Sequence, residues 1–355
     1  MNIFRYDYGS KYSHISRKMD YISELEIQMK KAGVKEEYIK VCSQYAQNLY
    51  KQSLPVIFDF KHLSLLLGYE VKEIAFYLFA EEELFYNEFS LPKKSGGLRI
   101  IDVPSERLKK IQRWILENIL NHIEIHEKCY GFRKGKSIYD NAKMHVNKKC
   151  VLNIDLSNFF PSIKQKDVFR LFYKIGYTKK VSYYLTKLLT RNGHLPQGSP
   201  ASPMLSNIIA INLDYRLDGL AKKYHADYSR YADDITFSGN RNLKTLIPIV
   251  RQIVQDENFD INVKKTRLAY YYQRQEVTGL IVNKKISIPK EYVKELRKTI
   301  YFCKKFGVDS HLKKTGNHKS FFKEHLYGKA YYIYMIDKNL GEKILEELNL
   351  IMWDY

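Results

Sequence analysis

Apolar residues recur every three or four positions in several stretches of the chain, the spacing that places side chains on one face of an α-helix. One such stretch follows Ser105, a suitable N-cap residue. Another begins at Ser202, followed by Pro203 in the first turn. A third, VKELRKTIYFCKKF (293–306), predicts a basic amphipathic helix. The two longest apolar faces are Leu108, Ile111, Ile115, Ile119 and Ile123, and Leu205, Ile209, Leu213 and Leu217.

Strand signals lie between these helices, at irregular intervals. A Pro/Gly/Ser loop, LPQGSPASP (195–203), lies between the strand signals at 150–163 and 229–239. Residues 1–90 have a mostly helical, polar and basic pattern. Strands and helices that alternate irregularly favour an α+β fold over a wound parallel sheet. The predicted strands are an apolar strand in CVLNIDLSNFFPSI (150–163), hairpins in KKSGGLRIIDVP (93–104) and SRYADDITFSG (229–239), and two short strands around Asn283–Lys284 in VTGLIVNKKISIP (277–289).

Composition points to a polyanionic partner. The 355 residues include 59 Lys and Arg against 39 Asp and Glu, a formal net charge of +20. An excess of this size is typical of nucleic-acid-binding proteins, and 30 Tyr and 18 Phe supply rings on which bases can stack. The four cysteines are far apart and lack metal-binding spacing. With neither a signal peptide nor a membrane-length apolar run, we expect a cytoplasmic protein that has no membrane partner.

Three aspartates occupy positions that otherwise favour strands: Asp155, Asp233 and Asp234. A carboxylate in an apolar strand is unfavourable unless something compensates it, and a cation between several carboxylates would do so. Oxygen ligands select Mg²⁺ or Mn²⁺, and two such ions can activate a 3′ hydroxyl and stabilise a leaving pyrophosphate. A polar hairpin turn is the simpler explanation of an Asp-Asp pair, but it accounts neither for Asp155 nor for the basic excess.

The motifs NIDLSNFFPSI, LPQGSPASPMLSN and RYADD, in this order, resemble the core motifs of reverse transcriptases over about residues 90–340. NAKMH (141–145) and VTG (277–279) resemble the NAxxH and VTG motifs of bacterial retron reverse transcriptases. The resemblance implies a right-hand polymerase, α+β, with an antiparallel-sheet palm. Its implied parts are an N-terminal helical region (1–90), fingers (91–150), a palm with finger elements (151–285) and a helical thumb (286–355).

The resemblance also implies a role for each matching site residue. Asp155, Asp233 and Asp234 would bind two Mg²⁺ ions, or Mn²⁺, with Asp155 and Asp233 as the primary ligands and the carbonyl oxygen of Leu156 as an additional one. Lys265 would assist catalysis near the pyrophosphate, although Lys264 is an equal alternative. The residues implied for the nucleotide pocket are Phe160 as steric gate, Gln197, Gly198 and, with Lys93 and Lys94, Arg99 on the triphosphate.

Each pocket residue also has a simpler interpretation. Phe160 could belong to the core, Gln197 could stabilise its loop, and the basic side chains could be solvated. The NAxxH and VTG motifs would handle the cognate RNA, but His145 could equally be a core histidine and Thr278 a strand residue. The residues implied for RNA binding are Asn141, Ala142, His145, Val277, Thr278 and Gly279.

In retron systems, such an enzyme binds a structured non-coding RNA of msr-msd type. It primes from a guanosine 2′ hydroxyl and copies part of the RNA from dNTPs into a branched RNA–DNA hybrid, msDNA. These bacterial systems act in anti-phage defence, so the resemblance implies a separate effector protein. The alternatives are a group II intron-like or other defence-associated reverse transcriptase, and a catalytically inactive RNA-binding scaffold.

Overall fold

The computed structural model describes residues 16–92, 96–316 and 321–353, with side chains from Tyr21 onward. The chain forms two compact units, each built from several segments. Unit 1 consists of residues 1–126, 157–213 and 255–260, and unit 2 of residues 127–156, 214–254 and 261–355. Lys93 and Lys94, predicted to lie on the triphosphate, are outside the described residues.

Unit 1 is mainly helical and carries one two-stranded antiparallel sheet. One of its helices, Phe60–Leu67, has a recognisable cap at each end: Asp59 accepts a hydrogen bond from the backbone N–H of His62, and Gly68 ends the helix with a left-handed backbone. The elements within unit 1 are α1 (Ser16–Lys31), α2 (Glu36–Lys51), α3 (Phe60–Leu67), α4 (Val71–Phe79), β1 (Tyr86–Pro92), β2 (Leu98–Pro104), α5 (Glu106–Asn118), α7 (Phe159–Ser162), α8 (Gln165–Lys174), α9 (Lys179–Leu189) and α10 (Ser202–Ile209), with short 3₁₀ helices at Glu82–Leu84 and Leu120–His122.

Unit 2 contains a four-stranded sheet whose strands, in spatial order, are β4 (Ala226–Tyr231), β5 (Asp234–Gly239), β3 (Cys150–Ser157) and β6 (Asp260–Tyr270). In it, β5 pairs antiparallel with both β3 and β4. Most residues of β3 are buried, as its nearly continuous apolar sequence predicts. The remaining elements, some of which extend across the boundary of unit 2, are α6 (Ile138–Lys143), β3 (Cys150–Ser157), α11 (Ile211–Lys223), β4 (Ala226–Tyr231), β5 (Asp234–Gly239), α12 (Leu246–Asp256), β6 (Asp260–Tyr270), β7 (Glu276–Val277), β8 (Leu280–Ile281), α13 (Lys290–Phe306), α14 (Val308–Thr315), α15 (Phe322–Ile336) and α16 (Lys338–Asn349).

The C-terminal helices of unit 2 share a core with the β7–β8 hairpin. Leu296 and Ile300 of α13, Ile333 of α15 and Ile344 of α16 are buried in it. Gly341 of α16 lies against the backbone of Tyr334 of α15, so closely that a Cβ there would overlap it. This glycine therefore allows α15 and α16 to pack at their shared end.

Three sequence predictions of secondary structure need correction. The first strand of the 93–104 hairpin is β1 (Tyr86–Pro92), which precedes the predicted basic arm. The helix predicted from Ser202 is two helices, because Ala210, with ψ of 7°, leaves the helical conformation. The hairpin after Val277 turns at Thr278–Gly279, and only an isolated bridge between Ile281 and Ser287 encloses Asn283–Lys284.

The four cysteines are all buried and free. Among the described helices, none combines the length and the apolar character that crossing a membrane requires.

Candidate active site

The three predicted aspartates meet at one end of the sheet in unit 2. Asp155 of β3 pairs directly with Asp234 of β5, and Asp234 also pairs with Tyr231 of β4. The β4–β5 turn therefore consists of Ala232 and Asp233, with Ala232 in the left-handed region at φ 57°. The backbone N–H of Leu156 donates to the carbonyl oxygen of Asp233 at 2.9 Å. Pairing across β3 and β5 thus joins two motifs that are far apart in sequence.

The charges of this cluster are only partly balanced. Asp155 is 8% exposed, and its Oδ1 accepts a hydrogen bond from Lys265 Nζ at 2.7 Å. That hydrogen bond is the largest cause of the raised pKa of Lys265, and the charges of the three aspartates raise it further. Although Asp234 is exposed on one side, the surrounding protein removes hydration from its carboxyl group, and Asp233 and Asp155 add negative charge; together they raise the pKa of Asp234 to about 6.

Strand geometry distinguishes the two candidate lysines. Lys264 and Lys265 are neighbours on β6, and successive side chains of a strand point to opposite faces. Lys265 is the one that reaches Asp155, and its side chain remains half exposed. The sequence left this choice open, because it gave no register for β6.

The donor chemistry of the three aspartates suits a divalent cation. Their carboxylate groups offer only oxygen ligands, which Mg²⁺ and Mn²⁺ prefer. The raised pKa of Asp234 reflects desolvation first and then repulsion from Asp233 and Asp155, which a cation would relieve. Within the part of the chain that the structure describes, however, no group of three or more His, Cys, Asp or Glu side chains is assembled as a metal centre. In the present arrangement, Asp155 binds the ammonium group of Lys265 instead.

A buried ion pair between Arg230 and Asp214 contacts the acidic turn. Asp214 of α11 accepts two hydrogen bonds from Arg230 of β4 and one from the hydroxyl group of Tyr228, each 2.6 Å long. Arg230 also donates through Nη1 to the carbonyl oxygen of Ala232 at 3.1 Å, so the pair contacts the turn directly. The sequence analysis missed this pair. No local signal marks it, since β4 (ADYSRY) and α11 (INLDYRLDGLAKK) each contain several polar and charged residues.

Gly131 packs against the backbone of the same turn. It follows a segment that pairs with β4, in which Arg230 N–H donates to the Lys128 carbonyl oxygen and Tyr130 N–H to that of Arg230. A Cβ on Gly131 would overlap the backbone nitrogen of Ala232. A glycine is therefore required here for close approach, although its φ is not positive. Sequence reasoning missed this residue as well.

The predicted nucleotide-pocket residues lie in unit 1. Asp102 of β2 donates its backbone N–H to the carbonyl oxygen of Gln197 at 2.8 Å. Gly198, at φ 148°, lies so close to the Asp102 carbonyl oxygen that a side chain would overlap it. The LPQG loop is thus bonded to the strand that carries Arg99, which is exposed and pairs with Leu91.

A second buried pair, Arg191 and Asp102, stabilises the contact between the β1–β2 hairpin and the LPQG loop. Arg191 donates through Nη1 to Asp102, and its Nη2 forms an ion pair with a carboxylate oxygen of Glu88 at 3.0 Å. Its guanidinium also lies 5.2 Å from the ring centroid of Tyr86. Arg191 and Asp102 were not predicted from the sequence. Together they tie both strands of the β1–β2 hairpin to the segment that leads into the LPQG loop.

Phe160, the predicted steric gate, is half-buried in α7, directly after β3. Its ring packs edge-to-face on Phe159, with centroids 5.7 Å apart. Phe159 is the buried member of this pair and also contacts Phe259. Core packing is therefore carried mainly by Phe159, and part of the ring of Phe160 stays accessible.

The two motifs predicted to bind RNA come together in unit 2. Asn141 of α6 donates through Nδ2 to Thr278 Oγ1 at 3.5 Å, and Thr278 Oγ1 donates to the carbonyl oxygen of Ile138 at 3.4 Å. Asn141 and Val277 are buried, Thr278 is half-buried, and Gly279 is exposed. Thr278 and Gly279 both have positive φ, 46° and 81°. A β-branched residue is rarely found in that conformation.

His145 of the NAxxH motif is fully buried. Its two ring nitrogens lie 2.7 Å from the hydroxyl groups of Ser238 and Ser229, one on each strand of the β4–β5 hairpin. Burial lowers the pKa of His145 to about 4, so the ring is neutral near pH 7, with one nitrogen as donor and the other as acceptor. Its position fits the core histidine that the sequence analysis left as an alternative.

Comparison with known proteins identifies the family of this chain. A model of the family described as reverse transcriptase (RNA-dependent DNA polymerase) matches residues 91–315. The Retron Ec86 reverse transcriptase of Escherichia coli is 35% identical over 268 residues, covering 73% of this chain and 83% of that protein. The Retron Mx65 reverse transcriptase of Myxococcus xanthus is 32% identical over 320 residues, covering 83% and 72%.

Among solved structures, telomerase from Candida albicans in complex with the TWJ fragment of telomeric RNA is similar over 76% of this chain and 61% of its own. Its TM-score is 0.43 and its sequence identity 12%. The predicted fold class, α+β with an antiparallel sheet and helices, is confirmed by the described elements and the family match. The protein is an RNA-directed DNA polymerase. The chain belongs to the reverse transcriptase family and, within it, to the retron reverse transcriptases.

Proposed function

We propose that this enzyme binds a cognate non-coding RNA of msr-msd type, primes from a guanosine 2′ hydroxyl of it and copies part of it into branched RNA–DNA. The observation that carries this proposal is the pairing of Asp155 with Asp234 beside Asp233, in a chain related to retron enzymes over most of its length. Two carboxylate-bearing strands that end together can hold the charges needed for nucleotidyl transfer.

Reverse transcriptases use divalent metal ions, and we propose two Mg²⁺ ions here, with Mn²⁺ as a substitute. Asp155 and Asp233 would hold them, with help from Asp234 and the carbonyl oxygen of Leu156. Bound there, the ions would supply activation of the attacking hydroxyl and stabilisation of the pyrophosphate. Lys265 would balance the carboxylates and donate a proton to the leaving group; the hydrogen bond to Asp155, which raises its pKa, keeps its ammonium form populated.

For the incoming dNTP, we propose Phe160 as the ring that excludes a 2′ hydroxyl, and Gln197 and Gly198 as the loop beside the nucleotide. Arg99 would bind the triphosphate by charge-assisted hydrogen bonds. The backbone bond between Asp102 and Gln197 supports a shared role, because it couples the strand of Arg99 to this loop. Phe160 suits the gate because part of its ring is accessible.

For the RNA, we propose that Thr278 and Gly279 form the contacting turn, with Val277 anchoring it in the core. Asn141 would act by holding Thr278 in its left-handed conformation, a strain that proteins usually retain for a function. His145 would act indirectly, by fixing the hairpin that carries the acids. The proposed regions remain an N-terminal helical region (1–90), fingers (91–150), palm (151–285) and thumb (286–355).

We place the enzyme in the bacterial cytoplasm, in anti-phage defence with a separate effector protein. The test is to express it beside its native flanking DNA and to analyse the co-purified nucleic acid on a denaturing gel after RNase and then DNase. The variant is Asp233→Asn with Asp234→Asn. The matched control is Asp260→Asn, an exposed aspartate at the start of β6.

We expect a short DNase-sensitive species, branched to RNA, in the wild type and the control, and none in the double variant. Unbranched DNA made only from an added primer would overturn the retron proposal and favour the intron-like or other defence-associated alternative. RNA without DNA in every sample would contradict branched-DNA synthesis and favour the RNA-binding scaffold.

A further inference from the structure

Three consecutive tyrosines form an exposed aromatic surface at the end of β6. We call residues 270–275 the tyrosine turn. Tyr271 and Tyr272 are 67% and 71% exposed, among the highest values for large side chains in the described ranges. The rings of Tyr270 and Tyr272 stack with centroids 5.7 Å apart and planes 11° apart, and Tyr271 meets Tyr272 edge-on at 5.3 Å. The stacked pair leaves ring surface open to solvent.

The tyrosine turn is held firmly despite its exposure. Asn283 donates from Nδ2 to the carbonyl oxygens of Tyr271, at 3.1 Å, and Gln273, at 2.7 Å, and its Oδ1 accepts from the N–H of Gln275 at 3.0 Å. The N–H of Tyr271 donates to the Lys149 carbonyl oxygen at 2.9 Å. A turn fixed by this many hydrogen bonds presents its rings with little conformational entropy left to lose on binding.

Basic residues lie in the segments that are hydrogen-bonded to the tyrosine turn. The hydrogen bonds to Lys149 and Asn283 place two basic segments beside the turn, and Lys149, Lys284 and Lys285 are all exposed. None of these three lysines forms an ion pair with another described residue. By contrast, Lys148 forms an ion pair with Asp227. Arg274 forms ion pairs with Glu276 and Glu291. Three unneutralised cations next to stacked rings are complementary to a polyanion that carries aromatic bases.

We propose that Tyr271 and Tyr272, with Lys149, Lys284 and Lys285, form a platform for unpaired nucleotides of the RNA that this enzyme binds. This rests on the proposed function and adds a contact surface outside the motifs predicted from the sequence. Bases stack on the tyrosine rings, and the lysines neutralise the adjacent phosphates. Unpaired rather than duplex RNA is specified, because paired bases do not offer their faces to side chains.

The test measures binding of the full-length protein to a fluorescein-labelled oligouridylate of about 12 nucleotides, within the usual site size for single strands. Fluorescence anisotropy compares wild type, Tyr271→Leu/Tyr272→Leu and Tyr271→Phe/Tyr272→Phe. The control, Tyr331→Leu, alters a tyrosine on α15 that is 59% exposed. Removing both rings should weaken binding by roughly 10- to 100-fold, whereas the phenylalanine variant and the control should bind as the wild type does.

Equal affinity for the leucine variant and the wild type would overturn the proposal, and so would equally weak binding by the phenylalanine and leucine variants. A second measurement uses only the wild type: irradiation with a 4-thiouridine-containing oligouridylate, followed by mass spectrometry of the cross-linked peptides. We expect cross-links within residues 270–275. The absence of these cross-links would also overturn the proposal. So would the finding that a co-expressed protein, instead of RNA, covers the tyrosine turn.

This outcome is separable from that of the proposed function. A protein that makes branched RNA–DNA but binds the oligouridylate independently of the tyrosines would lose the platform and keep the retron activity. Tyrosine-dependent binding without branched DNA in cells would support the platform and contradict the proposed retron activity.

Discussion

Arg230 and Asp214 form a two-point ion pair that has no solvent-exposed side-chain surface, with both N–O distances at 2.6 Å. Asp214 belongs to α11 and Arg230 to the strand that leads into Ala232 and Asp233. Because the same guanidinium donates to the carbonyl oxygen of Ala232, the position of the acidic turn depends on α11 as well as on its own sheet. We interpret Arg230 and Asp214 as positioning residues for Asp233.

Breaking this pair from one side should cost more than removing it. Arg230→Met leaves the Asp214 carboxylate buried without its cation, and we expect a loss of about 3–5 kcal/mol in the free energy of unfolding. The double variant Asp214→Leu/Arg230→Met should recover part of that loss, while polymerase activity stays low because Ala232 has lost its hydrogen bond. Urea unfolding and primer extension measure the two effects. Full activity in a stable double variant would refute the positioning role.

Gly131→Ala should displace the acidic turn. Its Cβ would overlap the nitrogen of Ala232, and forced packing of this kind costs roughly 1–3 kcal/mol. Gly219→Ala is the matched control: this glycine lies within α11 with no neighbour in reach of a Cβ, so alanine there should be neutral or stabilise by about 0.5–1 kcal/mol. The midpoint temperature of thermal unfolding and the rate of primer extension should both fall for Gly131→Ala and not for Gly219→Ala.

His145 should make stability depend on pH. Its pKa is about 4 when folded, because the ring is buried, and about 6.5 in an unfolded chain. The unfolded chain therefore binds the proton more readily, and stability contributed by the neutral ring is lost as pH falls from 6.5 towards 4. The full difference is about 3 kcal/mol.

The measurement is the free energy of unfolding between pH 7 and pH 4 for wild type, His145→Gln and His122→Gln. His122 is exposed and serves as the matched control. We expect a shallower decline for His145→Gln, with the wild type and the control declining together. Parallel curves for all three proteins would contradict the assignment of this pH dependence to His145.

Lys265→Met should reduce the rate of nucleotide addition by about 10²-fold, the lower range for loss of a general acid, without a comparable rise in KM for the dNTP. Lys264→Met is the natural control, since it alters the neighbouring lysine, for which no contact with Asp155 is found. Single-turnover extension of an added primer separates the two variants. Equal rates would show that the ion pair with Asp155 has no catalytic consequence.

Much of the site could be identified from the sequence, because local patterns carry it. Asp155, Asp233 and Asp234 stand out as carboxylates in segments whose other residues favour strands, and the order of their motifs indicated the family. Elements with strong local signals, such as α5 and the β4–β5 hairpin, were also predicted correctly. The break at Ala210 and the turn at Thr278–Gly279 were missed, because tertiary packing overrides weak local preferences there.

The sequence by itself determined the chemistry of this protein: which acids carry charge, which rings and lysines are available, and which family the chain resembles. Only the tertiary structure decided which of them meet. It put Lys265 rather than Lys264 on Asp155, buried His145 between two serines, and matched Arg230 with Asp214. The physical reason is that these contacts join distant segments, and strand register and helix packing set their geometry through interactions that no local pattern records.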